Sequence, residues 1–64
     1  MSYESAIIAR VENYIRHPVF EGSDDVMRDV LEDLEGKATL QQISGSTLNR
    51  LRDLILHSPH FRDN

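Results

Sequence analysis

Apolar residues recur every three or four positions along most of this sequence, and that spacing constrains its fold more than any other feature. The first such series is Tyr3, Ile7, Val11 and Tyr14, with Ile8 and Ile15 alongside. Spacing of three and four places side chains on one face of an α-helix, whereas a half-buried strand would need strict alternation. Similar series run through residues 26–34 and 48–56. The sequence therefore predicts an all-α fold, a small bundle of three to four short helices.

Local signals predict where the first two helices begin and end. Ser2 is suited to cap the first helix, and the residue before Pro18 is disfavoured in helical conformation, so the first helix should end there. Ser23 is suited to cap a second helix, which Gly36 would end. These signals predict two helices joined by a short connector.

The second half of the chain predicts two further helices. The run from Thr39 to Gln42 matches a capping box and indicates a short third helix. A fourth helix should begin at Ser46 or Thr47. We expect one helical domain over residues 1–59 and a flexible C-terminal tail over residues 60–64.

The small size of the chain favours a partner. It has 64 residues and no cysteine, so disulfide bonds cannot supplement a thin core. The apolar residues of the last helix spread over roughly 200°, about twice what one packed face needs. They fit either a central helix contacted by two neighbours or a homodimer interface through Leu54 and Leu56. The thin core favours the homodimer.

Charge bears on the class of partner. The formal net charge is −4, whereas proteins that bind nucleic acid usually carry a basic excess. The predicted second helix is rich in acidic residues, which form either a solvated outer face or a docking surface for a basic protein. The residues predicted to bind a protein partner are Asp25, Asp29, Glu32 and Asp33 on this helix, and Asn49, Arg50 and Asp53 on the last helix.

An alternative hypothesis is a helix-turn-helix DNA-binding regulator built from residues 38–56. The turn would contain Gly45, and the following helix would read DNA with Thr47, Asn49, Arg50 and Arg52. The acidic second helix would then lie near the phosphates, which makes nucleic acid the less favoured partner.

The sequence offers little for catalysis. His17, His57 and His60 are scattered, and none has the spacing of a metal site. The glycines form no phosphate-binding loop. We therefore predict that the protein is not an enzyme and has no catalytic, cofactor-binding or metal-binding residues. The longest apolar run near the N-terminus, residues 6–8, is too short for a signal peptide or a membrane span, so we expect a cytoplasmic protein with no membrane partner.

Most of the sequence resembles a known group of phage proteins. The segments MSYESAIIARVENYIRHP and DDVMRDVLEDLEGKATLQQISGSTLNRLRDLILHSPHF together resemble a small early protein from the exo–xis region of lambdoid bacteriophages. The resemblance is spread over nearly the whole chain and rests on no chemical motif. It implies a regulatory protein of the host bacterial cytoplasm that favours lytic development over lysogeny by binding a host or phage regulator. It implies no catalytic or binding residues.

Overall fold

Three helices make up the computed structural model, which describes residues 2–61. They are α1 (Tyr3–Arg16), α2 (Ser23–Thr39) and α3 (Gly45–Leu56). No strand occurs within residues 2–61. The prediction of a small all-α bundle is confirmed, with three helices.

Helix α1 has the predicted boundaries. The Ser2 hydroxyl accepts a hydrogen bond from the backbone N–H of Ser5 at 3.1 Å, so Ser2 is the N-cap. His17, which precedes Pro18, adopts an extended conformation and ends the helix.

Helix α2 begins and ends differently from the sequence-based prediction. Its N-cap is Gly22, whose φ of 86° lies in the left-handed region, and Ser23 is the buried first residue of the helix. The helix then continues through Gly36 to Thr39. The predictions of Ser23 as cap and Gly36 as stop are therefore wrong: Ser23 is buried inside the helix, and Ala38, beyond Gly36, packs against the core as part of the same helix.

A tight turn replaces the predicted short third helix. The N–H of Gln42 donates to the carbonyl of Lys37 at 2.9 Å, and the N–H of Gln41 donates to that of Ala38 at 3.0 Å. This pair of bonds is a Schellman motif, which needs a left-handed residue after the helix; Gln41 supplies it with a φ of 60°. The last helix therefore begins at Gly45, with Ser44 as its N-cap.

Helix α3 packs against both other helices, whereas α1 and α2 make few direct contacts with each other. Glu4 contacts Ser44 at the starts of α1 and α3, and Glu12 lies near Arg50 further along both, so these two helices run in the same direction. Tyr3 at the start of α1 donates to Gln42 just after the end of α2, so α2 runs opposite to them. The core between the helices consists of Ile7, Val11, Met27, Leu34, Ile43, Leu51 and Ile55.

The end of the described chain also packs against this core. His60 is 1% exposed, and its Nε2 donates to the carbonyl of Ile15 at 3.3 Å. Phe61 is half-buried against the core. The prediction of a flexible tail from residue 60 is wrong for these two residues, because a ring at each position covers apolar surface at the end of the bundle. The rest of the predicted tail, residues 62–64, lies outside the described residues.

Candidate protein-binding surface

Four of the six acidic residues of α2 lie on the side of that helix that faces away from the core. Asp25, Asp29, Glu32 and Asp33 are all exposed. Their spacing places them opposite the buried side chains of Met27 and Leu34. We call these four residues the acidic face. The prediction that they share one accessible face agrees with the structure; whether they bind a partner stays a prediction.

One member of the acidic face also has a partner within the helix. The Nζ of Lys37 donates to Oδ2 of Asp33, four residues earlier. This pair is partly exposed, and such surface pairs contribute little to stability. Its role here is to reduce the negative charge at one end of the acidic face.

A groove adjoins the acidic face, and it was not predicted from the sequence. Because α1 and α2 both pack on α3 and hardly touch each other, an open cavity of about 270 Å³ remains between them. Asp29 and Asp33 line this groove as well as belonging to the acidic face. The complete lining is Ile7, Arg10, Val11, Tyr14, Val26, Asp29, Val30, Asp33, Leu34 and Lys37. We call it the α1–α2 groove.

Only the edges of the apolar stripes could have indicated this groove. Tyr14 and Val26 belong to the predicted stripes of α1 and α2, yet they remain 41% and 37% exposed. A stripe shows which residues are apolar, but the distance between two helices decides whether its edge is covered. That distance is set by α3, far away in the sequence.

The predicted residues of α3 lie near a second, shallower groove, between α1 and α3. Asn49, Arg50 and Asp53 are exposed, and the last two line this groove with Ile15 and Leu54. Nη2 of Arg50 lies 3.9 Å from Oε2 of Glu12 on α1. The predicted residues therefore split into two groups: the acidic face beside the α1–α2 groove, and the polar edge of α3.

Leu54 and Leu56 are exposed, at 38% and 40%, but they do not form one patch. Residues two positions apart in a helix are separated by about 200° around its axis, so their side chains lie on nearly opposite sides. Leu54 lies toward α1, where it lines the shallow groove with Ile15, whereas Leu56 points to another side of α3. A flat interface between two copies could bury one of these leucines and not both. The homodimer stays a prediction.

The helix-turn-helix hypothesis does not match the geometry. Thr47 is 8% exposed and its hydroxyl donates to Glu4, so its predicted contact with DNA is wrong. Gly45 is the first residue of α3 and not the turn residue. Nη2 of Arg52 donates to Oε2 of Glu35 on α2 at 3.0 Å, which brings a carboxylate to a predicted phosphate contact.

Glu4 fixes the start of α3 against α1. Its carboxylate accepts hydrogen bonds from the backbone N–H of Ser44 at 3.2 Å, from the Ser44 hydroxyl at 3.3 Å, and from the Thr47 hydroxyl. The bonds from Thr47 and from the Ser44 backbone hold the pKa of Glu4 below its ordinary value of 4.5. This carboxylate links the start of α1 to the positive N-terminal end of α3.

The three histidines lie in separate places. Nδ1 of His17 donates to the carbonyl of Asn13, and Nδ1 of His57 donates to that of Asp53, each within one helical turn. His60 is the buried residue that packs at the far end of the bundle. Among residues 2–61, no cluster of three or more histidine or acidic side chains is placed to bind a metal ion.

Comparisons with known proteins identify no relative. The sequence matches no protein-family model, no curated protein and no solved structure. No helix within residues 2–61 has both the length and the apolar character needed to cross a membrane.

Proposed function

We propose that this chain is a non-enzymatic regulatory protein that acts by binding another protein through the acidic face and the polar edge of α3. One observation carries the proposal: four carboxylates that the core does not use lie exposed beside an open apolar groove. Apolar surface that excludes water, bordered by charge that selects and steers the partner, is the usual composition of a protein interface.

The resemblance to an early protein of the exo–xis region supports a more specific biological role. On this proposal the partner is a host or phage regulatory protein in the bacterial cytoplasm, and binding favours lytic development. Only the resemblance supports this part of the proposal.

Affinity capture from a bacterial lysate, followed by mass spectrometry, tests the proposal. The tagged wild-type protein should retain a specific protein, and Asp29→Lys with Glu32→Lys should lose it. Asp29→Lys alone should weaken retention, and its matched control is Glu21→Lys, which changes the net charge equally outside the acidic face and should retain the protein. Equal retention by Asp29→Lys and Glu21→Lys would show that the acidic face does not bind.

A DNA-retention assay separates this function from the helix-turn-helix alternative. Duplex DNA at low salt should not retain the wild-type protein, because its net charge is −4 and Arg52 is paired with a carboxylate. Retention that falls steeply with salt and disappears in Arg50→Ala would overturn the proposal in favour of DNA binding.

A further inference from the structure

We infer that the α1–α2 groove binds an amphipathic helix of a partner protein, with a basic edge toward α2, which lies between α1 and α2 as a fourth helix. This inference rests on the proposed function and specifies the chemistry of the partner. The shape, the apolar lining and the charge of the groove each support it.

The groove has the length and position for a helix. Along α2 its lining runs from Val26 to Lys37, twelve residues that span about 16 Å or three helical turns. It lies between two antiparallel helices, and α3 packs against both of them. A helix placed there would contact α1 and α2 together, as neighbouring helices do in a four-helix bundle.

The lining of the groove suits an apolar stripe. Ile7, Val11 and Leu34 lie at its base as members of the core, and Val30 is half-buried above them. Tyr14 and Val26 form the exposed lips. An incoming helix with apolar residues at positions i, i+3 or i+4, and i+7 would cover this surface, which is the usual mode of helix-in-groove recognition.

Charge decides which helix fits. The α2 lip carries Asp29, Asp33 and Lys37, of which the last two form an ion pair, and Asp25 and Glu32 lie beyond it on the acidic face. Lysine or arginine is therefore favoured beside Asp29 on that edge of the incoming helix. The α1 lip carries Arg10, which favours an acidic residue on the opposite edge. The net charge of −4 attracts a basic partner during encounter.

A second copy of this chain is the poorer occupant. Its most polar helix, α2, would bring another row of carboxylates to the acidic face, and like charges that meet at an interface oppose association. The arginines of α3 lie near carboxylates of their own chain, Arg50 near Glu12 and Arg52 near Glu35. The carboxylates of α2 therefore oppose a pairing of two α2 helices and favour a different protein.

Fluorescence anisotropy with two designed peptides tests the inference. Both peptides are helical, about 14 residues or four turns long, with the same leucine stripe. One carries lysine along one edge and glutamate along the other, and the second carries glutamate along both edges. The lysine peptide should bind the wild-type protein at physiological salt and the all-glutamate peptide should not.

Two charge-matched variants locate the binding site of the lysine peptide. Asp29→Lys should weaken binding at least about tenfold, because it places a cation on the lip of the groove. Glu21→Lys changes the charge equally in the connector before α2, outside both the groove and the acidic face, and it should weaken binding by no more than about threefold. Val26→Glu should abolish binding, and amide NMR shifts caused by the peptide should cluster at residues 26–37 of α2 and on the facing side of α1.

Three results would overturn the inference. Equal weakening by Asp29→Lys and Glu21→Lys would show general electrostatic attraction and no binding in the groove. Absence of peptide binding, with lysate capture intact, would leave the proposed function standing without this occupant. Sedimentation of the wild-type protein as two chains, restored to one by Val26→Glu, would make a second copy the occupant. If Val26→Glu fails to fold by circular dichroism, the two exposed lysine variants still decide the question.

Discussion

Glu4 is the residue whose role depends most on the folded structure. Its position near the start of α1 identifies it from the sequence as a favourable charge at that helix end. Its contacts with Ser44 and Thr47 join positions 40 and 43 residues apart and hold the start of α3. Spacing within a helix predicts neighbours three or four residues away, so sequence reasoning could find Ser2 as a cap but not this pairing.

Glu4→Gln is predicted to lower the melting temperature at neutral pH and to have less effect in acid. The charged carboxylate is favoured by the hydrogen bonds from Thr47 and Ser44, which hold its pKa below the ordinary value. A lowered pKa in the folded state stabilises the protein fully above the unfolded pKa, and this contribution is lost as the pH falls through the folded pKa. Urea unfolding of wild type and variant from pH 7 to pH 2.5 should therefore give midpoints that converge in acid.

Glu12→Gln is the matched control for that measurement. Glu12 is also on α1, but its nearest cation, on Arg50, is 3.9 Å away and largely exposed. Surface pairs of this kind contribute between 0 and about 1 kcal/mol. If the urea midpoint of Glu4→Gln stayed parallel to that of the wild type at all pH values, the contacts of residue 4 with Ser44 and Thr47 would not depend on its charge.

Among the elements, α2 departs most from the local rules of its sequence. A glycine commonly follows a helix in left-handed conformation, yet here Gly36 lies inside α2 and Gln41 occupies the left-handed position. The sequence-based boundary was wrong because it followed the glycine. Ala38 packs against the core two residues beyond Gly36, and the helix continues through it to Thr39.

Two substitutions in α2 and the turn after it are predicted to stabilise the protein. Gly36→Ala should raise the free energy of unfolding by about 1 kcal/mol, because alanine favours the helix and nothing lies within 4 Å of the added Cβ. Gln41→Gly should raise it by about 1 kcal/mol by removing the cost of a left-handed side chain. Urea unfolding monitored by circular dichroism measures both, and the double variant should show additive gains.

Gly22→Ala is predicted to lower the free energy of unfolding in the same assay. Gly22 has a φ of 86°, so alanine should destabilise the protein by about 1 kcal/mol although no neighbour blocks the Cβ. Stabilisation by Gly22→Ala, or loss of stability in Gln41→Gly, would contradict the assigned conformations of the two turns.

At the scale of the whole molecule, the sequence could predict which residues form the core more readily than which surfaces remain open. The helical stripes contain Met27, Leu34, Leu51 and Ile55, all of which are fully buried. The same stripes also contain Val26, which stays on the lip of the α1–α2 groove. Acidic residues on α2 could be assigned to an outer face from spacing alone, but the groove beside them depends on how three helices pack together.

The C-terminal segment is a second region whose burial could not be predicted from the sequence. Its proline and polar residues are typical of a frayed end, yet the buried ring of His60 packs edge-to-face with Phe20, with ring centres 6.3 Å apart. Phe61 packs on the core, and the guanidinium of Arg28 lies 5.6 Å from the centre of its ring. A single aromatic residue after a helix can end in solvent or in the core, and only the position of α1 and α2 decides between them.

Phe61→Ala and Phe20→Ala together test whether this segment closes the bundle. Phe61→Ala should lower the free energy of unfolding by about 2 kcal/mol, less than a fully buried phenylalanine would cost, because the ring is half-buried. For a domain this small, that is a fall in melting temperature of roughly 10 °C. Phe20 is 52% exposed, so its loss should cost less than about 1 kcal/mol. Thermal unfolding by circular dichroism compares them; a larger loss for Phe20→Ala would place the stabilising contact in the connector, and the C-terminal segment would then contribute little to the fold.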